Sequence, residues 1–156
     1  MALQQELGLK KGFSVLEHEA ILNIYYTASR IKKQADEFFR TFGLTDVQFN
    51  VLMLLYHQSG PEEGLSQAQL SDMMLVNRAN ITSLTDRMEK AGLVIRTAAA
   101  NDRRYNIVKM TSRGKKLLAK ADLLYAKQVK KMMAPTKSAE QKKLITILEK
   151  IRSKLI

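Results

Sequence analysis

The chain has 156 residues, 46% of them hydrophobic, with two prolines, seven glycines and no cysteine. That length and apolar content suit one helix-rich globular domain, and the missing thiols exclude disulfides, thiolate metal sites and cysteine nucleophiles. The formal net charge of +11 points to a polyanionic partner or to a heavily solvated surface.

The distribution of charge leaves both accounts open. Residues 1–64 carry six basic and eight acidic side chains, residues 65–114 eight and four, and residues 115–156 twelve and three. Most of the excess lies in the last third. There it is either a solvated helix face or a source of long-range steering toward DNA. No apolar run approaches the roughly 20 residues of a membrane span. The opening MALQQELGLKKGF lacks the apolar core and cleavage site of a signal peptide. The expectation is a cytoplasmic protein that makes no membrane contact.

In chain order, residues 14–42 read as one long helix. Ile21, Ala28, Ala35 and Phe42 recur every seven residues, and Ile24, Ile31 and Phe38 form a second line beside them. A narrow two-line seam of this kind packs along another helix. Gly43 is placed to stop it. Thr45 and Gln48 form a capping box ahead of VQFNVLMLLYHQ, which is apolar on most sides and is expected to be buried. Ser59-Gly60-Pro61 ends that helix, and a short loop leads to Leu65. Ser66 and Gln69 form a second capping box for a short helix ending near Leu75. Asn77 caps the next helix, with Ile81, Leu84 and Met88 on its inner face and Arg78, Asn80, Thr82, Ser83, Asp86 and Arg87 opposite. Gly92 stops it.

Residues 93–96 and 105–110 then read as two strands around a polar tip. A long helix follows from Thr111 or Ser112 to Met133 and breaks at Ala134-Pro135, because the residue before proline resists helical angles. Ser138 with Gln141 opens a last helix, with Leu144, Leu148, Ile151 and Leu155 on one face. The expected class is mainly α with a small β-hairpin wing: a winged helix-turn-helix between long N- and C-terminal helices.

The helix from Asn77 to Gly92 carries the chemistry. Its outer face bears short hydroxyl and amide groups and guanidinium groups, the types that reach base edges and phosphates in a major groove. Arg78 suits a guanine contact and Asn80 an adenine contact, while Thr82 and Ser83 suit phosphates or methyl groups. Arg87 and the capping Asn77 lie on the same surface. Ser66 and Gln67 begin the preceding helix, whose free amides can hold a phosphate. The tip Asn101-Asp102-Arg103-Arg104 can lay arginines in a minor groove, where negative potential attracts them. Asp102 is placed to fix Arg104. Taken singly, each feature also fits an ordinary solvated helix or turn.

Together the residues from LSQAQLSDMM through NRANITSLTDRMEKAGLVIR to NDRRYNIVKMTSRG resemble the MarR family of winged helix-turn-helix transcription regulators, and GLTDVQFNVLMLL matches the helix upstream. The resemblance implies one domain over residues 1–156. In it, residues 14–42 and 112–156 form the dimerisation helices and residues 45–111 the DNA-binding lobe. It implies a homodimer on a pseudo-palindromic double-stranded operator, acting as a repressor, with Asp102 and Arg104 in the wing signature. It also implies a small aromatic or anionic effector between the dimer helices and the lobe. Tyr25, Tyr26, Arg30, Met53 and His57 are the candidates there, although each also suits a packed or interface position. Ala98-Ala99-Ala100 departs from the polar approach to the wing seen in many relatives. The absence of cysteine leaves no thiol-oxidation switch.

No enzyme is expected. Gly114-Lys115 lacks the upstream glycine of a phosphate loop, and no glycine-flanked serine elbow is present. His18 and His57 lack metal-pair spacing, so neither a metal site nor a cofactor is expected. The competing reading is a winged-helix protein-interaction module that binds an acidic protein and reads no DNA sequence.

Overall fold

The computed structural model describes residues 2–60, 63–75, 77–98 and 106–155. They fall into two compact units, Met1–Leu118 and Ala119–Ile156. The first opens with α1 (Leu3–Glu6), a single turn that no periodicity in the sequence foreshadows, followed by α2 (Leu16–Arg40). At 25 residues, α2 is about 37 Å long. It starts two residues later than the seam suggested, and Val15 at its N-cap makes no side-chain cap hydrogen bond. Only its C-terminal end is closed off: Ala35 and Phe39 are buried, whereas Ile21 and Ile31 of the seam are 41% and 45% exposed. Gly43 follows with φ +69°, the left-handed stop that glycine adopts without a Cβ clash.

The α3 helix (Asp46–Gln58) begins as its sequence dictates. Thr45 Oγ1 accepts the Gln48 N–H at 3.2 Å and Gln48 Oε1 accepts the Thr45 N–H at 3.0 Å. Phe49, Val51, Leu52 and Leu55 are buried, and the Phe49 ring stacks on Phe39 with centroids 4.2 Å apart. That stack ties α3 to the end of α2.

Next come β1 (Gly64–Ser66), α4 (Gln67–Met74), α5 (Arg78–Lys90), β2 (Val94–Ala98) and β3 (Asn106–Met110). The strands form one antiparallel sheet in the order β1-β3-β2. Val94 pairs with Met110 and Ala98 with Asn106 across the hairpin, and Gly64 pairs with Lys109 on the other edge. Two expectations change. The first hairpin strand is Val94–Ala98 rather than residues 93–96, and the segment read as a loop running into Leu65 is a third strand. With three residues, β1 shows no alternation of its own, and its partner lies some forty residues away.

The core of this unit draws on every layer. Leu52, Leu65, Leu70, Ile81, Met88, Val94 and Val108 are all essentially inaccessible. Burial of such a side chain is worth about 1.5–3 kcal/mol, and the cluster joins α3, α4, α5 and the sheet. Then α6 (Ser112–Met133) leaves the sheet through a tight corner. Thr111 Oγ1 sits 2.7 Å from the Gly92 carbonyl and accepts the Gly114 N–H at 3.0 Å, while the Thr111 N–H donates to the Leu93 carbonyl at 3.1 Å. A Cβ at Gly114 would collide with that same Leu93 carbonyl.

The second unit contains the remainder of α6 and α7 (Ser138–Arg152). The α7 cap differs from expectation. Ser138 is the first helical residue, Lys137 occupies the cap position, and Glu140 Oε2 accepts the Lys137 N–H at 2.7 Å. The Gln141 amide reaches back to the Thr136 carbonyl at 3.2 Å. A carboxylate binds a helix N-terminus more strongly than a neutral serine hydroxyl does. No residue of α7 is buried, and Leu144, Ile145, Ile147 and Leu155 stand exposed. Among the described residues no helix is long and apolar enough to cross a membrane.

Replacing Gly114 by alanine forces the α6 corner off the Leu93 carbonyl. The expected loss is about 1–3 kcal/mol, typical of overpacking, read as a lower urea midpoint with an unchanged slope. An unchanged midpoint would show that the corner yields freely.

Candidate nucleic-acid interface

The interface is built on the α4–turn–α5 unit. Ser66 Oγ accepts the Gln69 N–H at 3.1 Å and Gln69 Oε1 accepts the Ser66 N–H at 2.8 Å, so the second capping box forms as read. The turn is made by Leu75, with φ +53° and its side chain 93% exposed. A left-handed conformation at a non-glycine residue costs roughly 1–2 kcal/mol. Asn77 Oδ1 accepts the Asn80 N–H at 2.9 Å and starts α5.

Ile81, Leu84 and Met88 are buried, as their spacing requires, and so is Thr85, which the sequence pattern left unnoticed. Its hydroxyl lies 2.9 Å from the Ile81 carbonyl and accepts from Gln67 Nε2 at 3.0 Å. Gln67 Oε1 lies 3.3 Å from the Thr82 hydroxyl. The Gln67 amide therefore spans from α4 to α5 and braces the two helices. Its nearest partners belong to the protein. Ser66 and Gln67 are half-buried, whereas Asn77, Arg78, Asn80, Thr82, Ser83 and Arg87 are all exposed. The Thr82 hydroxyl is 3.0 Å from the Arg78 carbonyl and Arg87 Nε donates to the Ser83 carbonyl at 3.2 Å, which orders both side chains along the outer face. Asp102, Arg103 and Arg104 lie outside the described residues, as do Ala99 and Ala100.

Asp86 is not a free member of that face. Arg96 of β2 places Nη2 2.5 Å from Asp86 Oδ1 and 2.7 Å from Glu89 Oε2. Its Nε and backbone N–H also donate to the Glu89 carboxylate, at 3.0 and 2.9 Å. The Arg96 guanidinium, followed by its backbone N–H, holds the Glu89 carboxyl below the usual glutamate range.

Two clefts flank α3. One, of about 420 Å³, lies between α5 and the α2–α3 corner and is lined by Asp36, Val47, Asn80, Ile81, Leu84 and Arg87, among others. At its rim Lys32 Nζ is 2.7 Å from Asp46 Oδ2 and 3.8 Å from Asp36 Oδ2. The other, of about 430 Å³, is lined by Asn50, Met53, Leu54, His57, Gln58, Met73 and Met74. Both volumes are within the range of small-molecule sites. Met53 and His57 thus share a cleft, and Tyr25, Tyr26 and Arg30 are not part of its wall. Arg30 lies over the Tyr26 ring at 5.8 Å and Tyr25 is exposed. Among the described residues, no three His, Asp or Glu side chains gather as a metal would need.

Similarity to known proteins follows the same lines. Residues 42–104 match the model of the MarR family. The HTH-type transcriptional regulator PapX of Escherichia coli is 34% identical over 85 residues, spanning 54% of this chain and 51% of PapX. The uncharacterized HTH-type transcriptional regulator YkoM of Bacillus subtilis is 26% identical over 146 residues, 91% of this chain and 92% of YkoM. The crystal structure of the S. aureus MepR–DNA complex aligns with a TM-score of 0.78 at 21% identity, covering 86% of this chain and 96% of that one. A winged helix-turn-helix with an exposed polar face is the layout that holds one helix against duplex DNA. Over residues 42–104, less than half of its length, the chain is similar to the MarR family of transcription regulators.

A carboxyl held below its ordinary pKa stabilises the fold at neutral pH, and that contribution is lost as pH falls through the lowered value. Glu89→Gln removes it at every pH. The gap in melting temperature between wild type and Glu89→Gln should therefore shrink as pH drops from about 4.5 toward 3. A constant gap would mean that the Arg96 contact does not depend on the Glu89 charge.

Proposed function

We propose that the protein is a homodimeric, sequence-specific repressor of a pseudo-palindromic double-stranded operator, released by a small aromatic or anionic effector. The observation that carries the reading is the two-sided character of α5: four side chains buried on one face, and Arg78, Asn80, Thr82, Ser83 and Arg87 exposed on the other. In this reading α5 enters the major groove, with Arg78 on guanine and Asn80 on adenine. The free amides at the start of α4, with Ser66 and Gln67, hold a phosphate. Asn77 fixes the start of the reading helix, and Asp102 orients Arg104, which with Arg103 takes the minor groove. The MepR relative of similar fold was crystallised with DNA, which supports the same mode here.

The homodimer reading rests on apolar surface. Ile21 and Ile31 on α2, and Leu144, Ile145, Ile147 and Leu155 at the other end of the chain, are exposed in the single chain and would be covered by a second copy. Two α5 helices then need a separation near one DNA turn, about 34 Å. An effector that prefers another separation shifts the population away from the bound form. The cleft beside Asn80, Leu84 and Arg87 offers a guanidinium for an anion and apolar walls for a ring. The cleft around Met53 and His57 is the second candidate, with Tyr25, Tyr26 and Arg30 on α2 outside its wall. Such a regulator acts in the cytoplasm.

Fluorescence anisotropy with the DNA upstream of the protein's own coding region, against a scrambled duplex, tests the reading. Wild type should prefer the upstream duplex. Arg78→Ala should lose about 10- to 100-fold of that affinity, the worth of a bidentate base contact, with little change on the scrambled duplex. Equal binding to both duplexes that collapses with salt would instead favour phosphate attraction alone and the protein-interaction reading.

Ile31→Asp should convert the dimer to monomer in sedimentation while the far-ultraviolet spectrum stays helical. A stable dimer in that variant would place the interface elsewhere.

A further inference from the structure

Arg96 is absent from every DNA-facing surface considered above, yet among the described residues it is the one side chain whose ion pairs tie the reading helix to the wing. It sits in β2 opposite Val108 of β3, whose side chain is fully buried. Asp86 and Glu89, three residues apart, lie on one face of α5, and a single guanidinium bridges them. The Glu89 carboxylate receives three donors from Arg96: the backbone N–H, Nε and Nη2. A planar guanidinium can grip one carboxylate with Nε and Nη2 while Nη2 also reaches a second, a fork that a single ammonium nitrogen does not offer.

We propose that Arg96 is a positioning residue for operator recognition: through Glu89 and Asp86 it locks the angle between α5 and the wing, so that helix and hairpin reach their two grooves together. The proposal rests on the DNA-reading function above. The anchor acts through the protein and touches no nucleotide. Two carboxylates on a helix that approaches phosphates would repel the duplex, and the clamp turns both toward the protein's own guanidinium.

Simple electrostatics and the clamp predict opposite signs. Glu89→Gln removes a negative charge from the DNA-facing lobe. By charge alone it should tighten binding to every duplex. If Arg96 acts through Glu89, the same change loosens the angle and weakens operator binding while scrambled-duplex binding holds or rises. The experiment measures operator and scrambled affinities for wild type, Glu89→Gln, Arg96→Met and the double variant, with circular dichroism and dimer mass as controls.

The expected result is a loss of about tenfold in operator affinity for either single variant. The double variant should be no worse than Arg96→Met, and Arg96→Lys should recover only part of the loss. Operator binding by Glu89→Gln at or above the wild-type level overturns the proposal. So does a double variant whose loss is the product of the two singles. If wild type does not discriminate operator from scrambled duplex, the DNA-reading function itself fails, an outcome distinct from failure of the clamp. A fall in the salt slope of about one for Arg96→Met, with Glu89→Gln unaffected, would make Arg96 a direct phosphate contact instead.

Discussion

A thirteen-residue helix such as α5 is only marginally stable in water by itself. It persists because Ile81, Leu84, Thr85 and Met88 are shut away from solvent, and this burial fixes everything that faces the other way. With those four positions turned inward, helical geometry leaves Arg78, Asn80, Ser83 and Arg87 outward. The anchorage is not purely apolar. The Gln67 amide holds the helix from α4, and the Arg96 guanidinium holds it from β2. Apolar packing is insensitive to rotation of a few degrees, whereas hydrogen bonds at fixed distances are not. The buried stripe keeps the helix in place, and the two polar ties set its azimuth.

The sequence was most legible where the governing contacts are local. The capping boxes at Thr45 and Ser66 and the Asn77 cap each join residues three apart, so the pattern of letters is the pattern of bonds. The glycine stop at Gly92 was equally plain, since only one residue type adopts φ +68° without strain. Contacts across the chain were less so. The β1 strand exists only because β3 offers it a ladder, and three residues carry no period by which to detect it. The Arg96 bridge joins positions seven and ten apart across a helix end and a strand, a spacing that matches no periodic template. Thr85 carried no signal in the sequence, and only the packed helices show that its hydroxyl is sealed in. The Ser138 expectation missed by one residue: Lys137 holds the cap position and Glu140 accepts its N–H.

The apolar seam of α2 presents a different problem. Its period was readable, yet periodicity says that a face will be covered and not by what. In the single chain the half of the seam near Phe39 is closed by α3, and the half near Ile21 stays open. Exposed apolar residues recur in α7, in the third of the sequence where lysines are densest. A surface that combines open leucines and isoleucines with like charge resists random self-association through repulsion, while remaining available to a partner whose shape and charge both fit. This favours one mate over many.

The corner at Thr111 has a mechanical meaning. The Leu93 carbonyl receives the Thr111 N–H and stands against the Cα of Gly114, one residue before β2 begins at Val94. A single peptide group is therefore the bearing on which the start of a 22-residue helix and the root of the hairpin both rest. With no side chain at residue 114 to act as a cushion, there is no slack between them. The first turn of α6 and the root of β2 thus share one backbone oxygen as their common support, just ahead of the strand that carries Arg96.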